Sequence, residues 1–215
     1  MRLRIAFSMI CLYWTAEAVV VDRIAIVVAN RPVKSSDIEE DIRLTSFLNR
    51  EKPDFSLKSR RDSASRLIDQ QLIRREIESA QQVLAPPVAD ADRLLQQIRK
   101  ERYPDDAAFK KGLTEYGITE ADLKTRLQWQ LSVLRFVDSR FRPEILLSDE
   151  EIQKYFEEHE KELRDGNPGA VDGVESFRPQ IESTISGERI NQQFYAWLEQ
   201  RRKETKVVFR EEALR

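Results

Sequence analysis

One cysteine, one histidine and six glycines in 215 residues leave this chain few of the parts from which catalytic centres and turn-rich folds are built. The cysteine, Cys11, lies in the first apolar stretch. A chain with a single thiol closes no internal disulfide, so its stability rests on packing. The histidine, His159, stands among Glu157, Glu158 and Glu160, a charged run of the kind that faces water on a helix. A general base needs a nucleophile and an orienting group, and a metal ligand needs companions; the sequence places neither beside His159. Phosphate-cradling glycine loops, nucleophile elbows and cysteine-histidine clusters are missing too. No catalytic residue, metal site or cofactor is therefore expected. A formal net charge of −2 gives no basic surplus for nucleic acid. Little glycine with 34% charged residues argues against a sandwich or barrel and for long, solvated helices.

Long apolar runs are absent as well. The longest, from Ile5 to Trp14, is about half of the ~20 residues a bilayer-crossing helix needs, so no stable membrane insertion is expected. Arg2 and Arg4 before it and Ala16-Glu17-Ala18 after it complete the pattern of a cleavable signal peptide, residues 1–18, cut after Ala18. Ile10 occupies the position before Cys11 where a lipoprotein signal needs a small residue, which argues against a lipid anchor. Cleavage discards Cys11 and makes the remaining chain one unit more negative.

The rest of the chain reads as mainly α. Val19-Val20-Val21 and 24–28 are rich in β-branched residues and predict a strand. Asn30-Arg31-Pro32 predicts a turn, and Val33 a brief antiparallel return. Ser36 with Glu39 predicts the capped start of a helix running to about Asn49. Ala64, Ile68 and Leu72, then Ile73, Ile77 and Leu84, form a helical stripe over 59–84, stopped by Ala85-Pro86-Pro87. Helices follow over 90–102, from Pro104 to Gly117, and from the Thr119/Asp122 cap to before Pro143, with another opened by Ser148 and Glu151. Residues 164–175 hold Gly166, Gly169 and Gly173 with Asn167 and Pro168, and read as a flexible loop. A last helix over 176–204 leads to a closing strand at 206–210. Strands this short satisfy their backbone most simply by pairing the two ends of the chain into one domain.

Tyr116, Trp129 and Phe141 exceed what the aliphatic stripes require. With Phe109 and Leu113 they are the candidate contacts for apolar or aromatic segments of an unfolded partner.

Several segments together carry a resemblance. The run 20–30, with Asp22 inside a valine-rich strand, leads through Pro32-Val33 to Ser36-Asp37 at a helix start. Residues 66–73, the 109–123 hairpin with Tyr116-Gly117-Ile118-Thr119, residues 128–142, Ile145-Leu146-Leu147-Ser148-Asp149-Glu150-Glu151-Ile152 and residues 178–209 follow in order. In this it resembles the SurA family of periplasmic chaperones of outer-membrane proteins. The resemblance implies a SurA N-terminal-like multi-helix core, with a helical chaperone unit at 19–163 completed by a helix and strand at 176–210. It implies a periplasmic, ATP-independent holdase for unfolded outer-membrane or secreted polypeptides. In that family and in PrsA-type foldases, one or two parvulin prolyl-isomerase domains of roughly 90 to 100 residues stand where this chain has only 164–175. Their active site uses histidines that a lone His159 does not supply. The alternatives are a prolyl isomerase acting through an unrecognised site, and an envelope assembly subunit that dimerises through its helices.

Overall fold

The computed structural model describes residues 22–79, 87–167, 169 and 173–213. The signal segment, its cleavage site, Cys11, the valines 19–21 and the helix stop at Ala85-Pro86 lie outside the described residues. Within them the fold is mainly helical with a small antiparallel sheet, as the sequence predicts.

β1 (Ile24–Val28) turns through Ala29 and Asn30 into β2 (Arg31–Lys34), with Val28 opposite Arg31. Both turn residues have positive φ, 44° and 72°, the signature of a two-residue type I′ hairpin. The turn therefore precedes the Asn30-Arg31-Pro32 expected from composition, and Pro32 is a strand residue. It sits opposite Val27, between the hydrogen-bonded pairs, on a strand with no neighbour on its far side among the described residues, so its missing N–H costs the ladder nothing. β3 (Val207–Phe209) pairs antiparallel with the other side of β1, which joins the two ends of the chain in the order β2-β1-β3.

α1 (Ser35–Asn49) begins directly after β2, earlier than the Ser36 cap predicts. Lys34 N–H donates to Asp37 Oδ2 at 2.8 Å, while the Ser36 N–H and hydroxyl both donate to Asp22. Strand pairing brings Asp22 to Ser36, and that long-range partner displaces the local box. α2 spans Leu57–Ser79 and α3 spans Val88–Arg102, with Arg99, Lys100 and Arg102 in its last turn, where cations suit the helix dipole. α4 (Asp106–Tyr116) is capped by Asp105, whose carboxylate accepts from Ala108 N–H at 2.8 Å, and ends on Gly117 at φ 64°. α5 (Glu120–Phe141) and α6 (Asp149–Gly166) open on the expected Thr119/Asp122 and Ser148/Glu151 boxes. α7 (Val174–Glu204) starts earlier, and α6 ends later, than the 164–175 loop implies.

Three apolar clusters hold these elements. The first gathers β1, β2, α1, α2, α5 and the C-terminal half of α7 around Ile26, Ile38, Ile68, Phe136 and Phe141. The second joins α1, α3, α4 and α5 around Phe47, Leu95, Phe109 and Leu123. The buried residues of the third are Ile152, Phe156 and Leu163 of α6 with Phe177 and Ile181 of α7. α6 rests chiefly on α7, and the lower half of α7 rests on α2 and α5. The molecule is thus a two-cluster body with a helical hairpin arm.

Candidate functional site

Residues of α1, α2 and α5, with Val33 of β2, line a cleft of about 260 Å³. Val33, Leu44, Leu67 and Trp129 give it apolar wall, while Asp37, Glu40, Asp41, Asp122 and Arg126 supply charge. The Trp129 indole is half-buried against the first cluster and is covered by the Arg74 guanidinium, 4.4 Å from the ring centroid. Such a pairing holds the indole in place without a hydrogen bond.

The floor is an ion network centred on Asp41, which is 3% exposed. Its Oδ1 accepts from Arg126 Nη1 at 2.7 Å, and its Oδ2 from Ser63 Oγ at 2.8 Å and from Arg66 Nη2 at 2.7 Å. A buried carboxylate is tolerated only when paired and hydrogen-bonded, and here α2 and α5 each supply a cation to α1. The network therefore ties two of the cleft's walls, α2 and α5, to α1. Sequence reasoning missed Asp41, although a signal was present: it falls on the same helical face as Ile38 and Ile42, where an unpartnered carboxylate does not belong.

At the mouth, Glu40 is exposed. Desolvation first, and then the neighbouring carboxylates of Asp122 and Asp37, raise its pKa above the ordinary glutamate value. Asp37 and Asp122 are each engaged by a helix cap, accepting from Lys34 and Thr119 N–H.

The residues expected to meet a partner do not come together. Phe109 is fully buried and Leu113 nearly so in the second cluster, where Phe109 packs edge-on against Tyr103 at 5.3 Å. Phe141 is buried in the first cluster between Phe136, Phe194 and Trp197. These three are core in the folded chain. Tyr116 is half-buried on Phe47, ring centroids 5.3 Å apart, on the second cluster and away from the cleft lining. Trp129 alone of the set lines the cleft.

The chain matches no known family model, and no curated protein is significantly similar to it.

Elsewhere, His159 lies on the arm with its ring 4.3 Å from that of Tyr155 and its Nδ1 3.4 Å from Glu162 Oε2. Among the described residues no group of three or more histidine, cysteine or acidic side chains is placed to hold a metal ion. No helix among them is long and apolar enough to cross a membrane.

Proposed function

We propose that this protein is an exported, ATP-independent holdase that captures unfolded polypeptides, outer-membrane proteins among them, in the periplasm. The observation that carries the reading is the cleft, in which an indole wall and aliphatic neighbours stand inside a charged rim. An apolar or aromatic side chain of an extended client fits such a surface. Burying one supplies attraction, while desolvating the rim limits affinity, so capture is weak and rapidly reversed. The likeness of the sequence to SurA-type chaperones supports the same assignment, and the short 167–173 connection leaves no room for a parvulin unit between α6 and α7.

The test is dilution of a urea-unfolded outer-membrane β-barrel protein into buffer without nucleotide, followed by light scattering. Stoichiometric amounts of the protein suppress aggregation. Trp129→Ala weakens client binding by about tenfold, the order expected for losing one aromatic anchor. Glu40→Arg, which puts a guanidinium across the mouth without touching the core, does the same while preserving the thermal melt. Suppression unchanged in both variants overturns the assignment. Acceleration of a proline-limited refolding reaction at catalytic amounts overturns it in favour of an isomerase.

A further inference from the structure

The sheet ends before its apolar face does. Ile26 in β1 is completely buried, yet its register partner in β3, Phe209, is 49% exposed, because among the described residues no strand lies beyond β3 to cover it. The backbone says the same. Ala29 N–H donates to Lys206 O and Arg210 N–H to Ala25 O, so in an antiparallel ladder the groups of Lys206, Val208 and Arg210 face β1. The N–H and C=O of Val207 and Phe209 then point away from β1, and among the described residues no backbone partner meets them. The opposite edge of the sheet differs, since Pro32 there offers no N–H to an incoming strand.

Charge decides what fits. Lys206 and Arg210 are exposed at the two ends of β3, and neither side chain is engaged in a salt bridge among the described residues. A second copy pairing antiparallel through Val208 would set Lys206 against Arg210 at both ends, a like-charge juxtaposition that disfavours self-association. A strand with acidic residues at its ends meets both cations instead.

We propose that the outer edge of β3 docks an extended peptide strand in which alternating apolar residues are flanked by acidic ones. The strand extends the sheet to four members, satisfies the Val207 and Phe209 backbone groups and covers the Phe209 ring. The edge is separate from the Trp129 cleft and does not rest on the holdase assignment.

Amide exchange of the full chain tests this with a short synthetic peptide in which valine and phenylalanine alternate with threonine between pairs of aspartates. Adding it protects the Val207 and Phe209 amides, which exchange freely without it. The double variant Lys206→Glu/Arg210→Glu, changed only at exposed side chains, binds this peptide about tenfold more weakly and regains binding to a lysine-flanked version. Trp129→Ala leaves the interaction intact. Equal binding of both peptides to both proteins overturns the proposal. So does protection at other amides, loss of binding in Trp129→Ala, or concentration-dependent protection of the same amides in the protein alone, which would assign the edge to a second copy.

Discussion

The body and the arm are held together by different kinds of contact. In the body's first cluster, β1 near the start of the described chain packs with Ile190 and Leu198 near its end, so the cluster exists only when distant segments have met. The arm's cluster draws on one helix and the first turns of the next, joined by the short 167–173 connection. It is a local structure, closed by a short loop, and has few neighbours to share a loss. A body built on long-range contacts fails as a unit, whereas an arm built on local ones opens and recloses by itself.

Phe109→Ala is the strongest probe of the body. The ring is fully buried, touches Tyr103 edge-on and lies beneath the Arg99 guanidinium, and its removal costs about 3–5 kcal/mol. Denaturant melts of the variant shift as one transition, with near- and far-ultraviolet circular dichroism coincident. Separate transitions would show that the two body clusters unfold independently.

Phe177→Ala removes a comparably buried ring from the arm, one that packs on Phe156 at 5.7 Å. The local cost is about 3 kcal/mol, but it falls on α6 and the first half of α7. Amide exchange then accelerates along Asp149–Gly166 while Ile26, Leu72 and Leu123 keep their protection. Equal acceleration in the body would make arm and body one cooperative unit.

Ser148→Ala acts on the same arm more gently. The Ser148 hydroxyl accepts from Glu151 N–H at 3.3 Å, and the Glu151 carboxylate accepts in turn from Ser148 N–H at 3.0 Å. Losing the cap costs about 1 kcal/mol, seen as faster exchange in the first turn of α6.

That cap also shows what the sequence made legible. The Thr119/Asp122 and Ser148/Glu151 boxes and the stop at Gly117 follow from local chemistry, the pairing of β3 with β1 follows from the need of two short end strands for backbone partners, and the structure has them. Ser36 fails the same reasoning because its partner, Asp22, reaches it only after β1 and β2 pair. The site suffers from the same blindness. Helical periodicity tells that Phe109, Leu113 and Phe141 lie on apolar stripes but not which neighbouring helix covers each stripe. Counting surplus aromatics therefore collects core residues along with Trp129. Asp41 was the better pointer to the cleft, since a carboxylate on an apolar stripe requires cations from other elements, and those elements are the cleft's walls.

The smallest effect separates body from arm by sign. Hydrogen bonding from the Ser148 backbone, followed by that from Arg189, lowers the pKa of Glu151 on the arm. Its contribution to stability is present above the ordinary glutamate pKa and is lost as pH falls through the lowered folded value. Glu40 at the cleft mouth is raised instead, so protonation favours the fold: that contribution is present below the ordinary pKa and is lost as pH rises through the folded value. Glu151→Gln therefore lowers the melting temperature near neutrality, and Glu40→Gln raises it slightly. The Glu40 difference shrinks as the pH falls through its raised folded pKa, above the ordinary glutamate value, and the Glu151 difference shrinks only at lower pH, as the pH falls through its lowered one. A melting series from about pH 3 to pH 7 reads both variants against the parent. If Glu40→Gln lowers the melting temperature at neutrality, the carboxylate crowding at the cleft mouth does not strain the fold, and Glu40 is held there by attraction to Arg126 rather than opposed by Asp122 and Asp37.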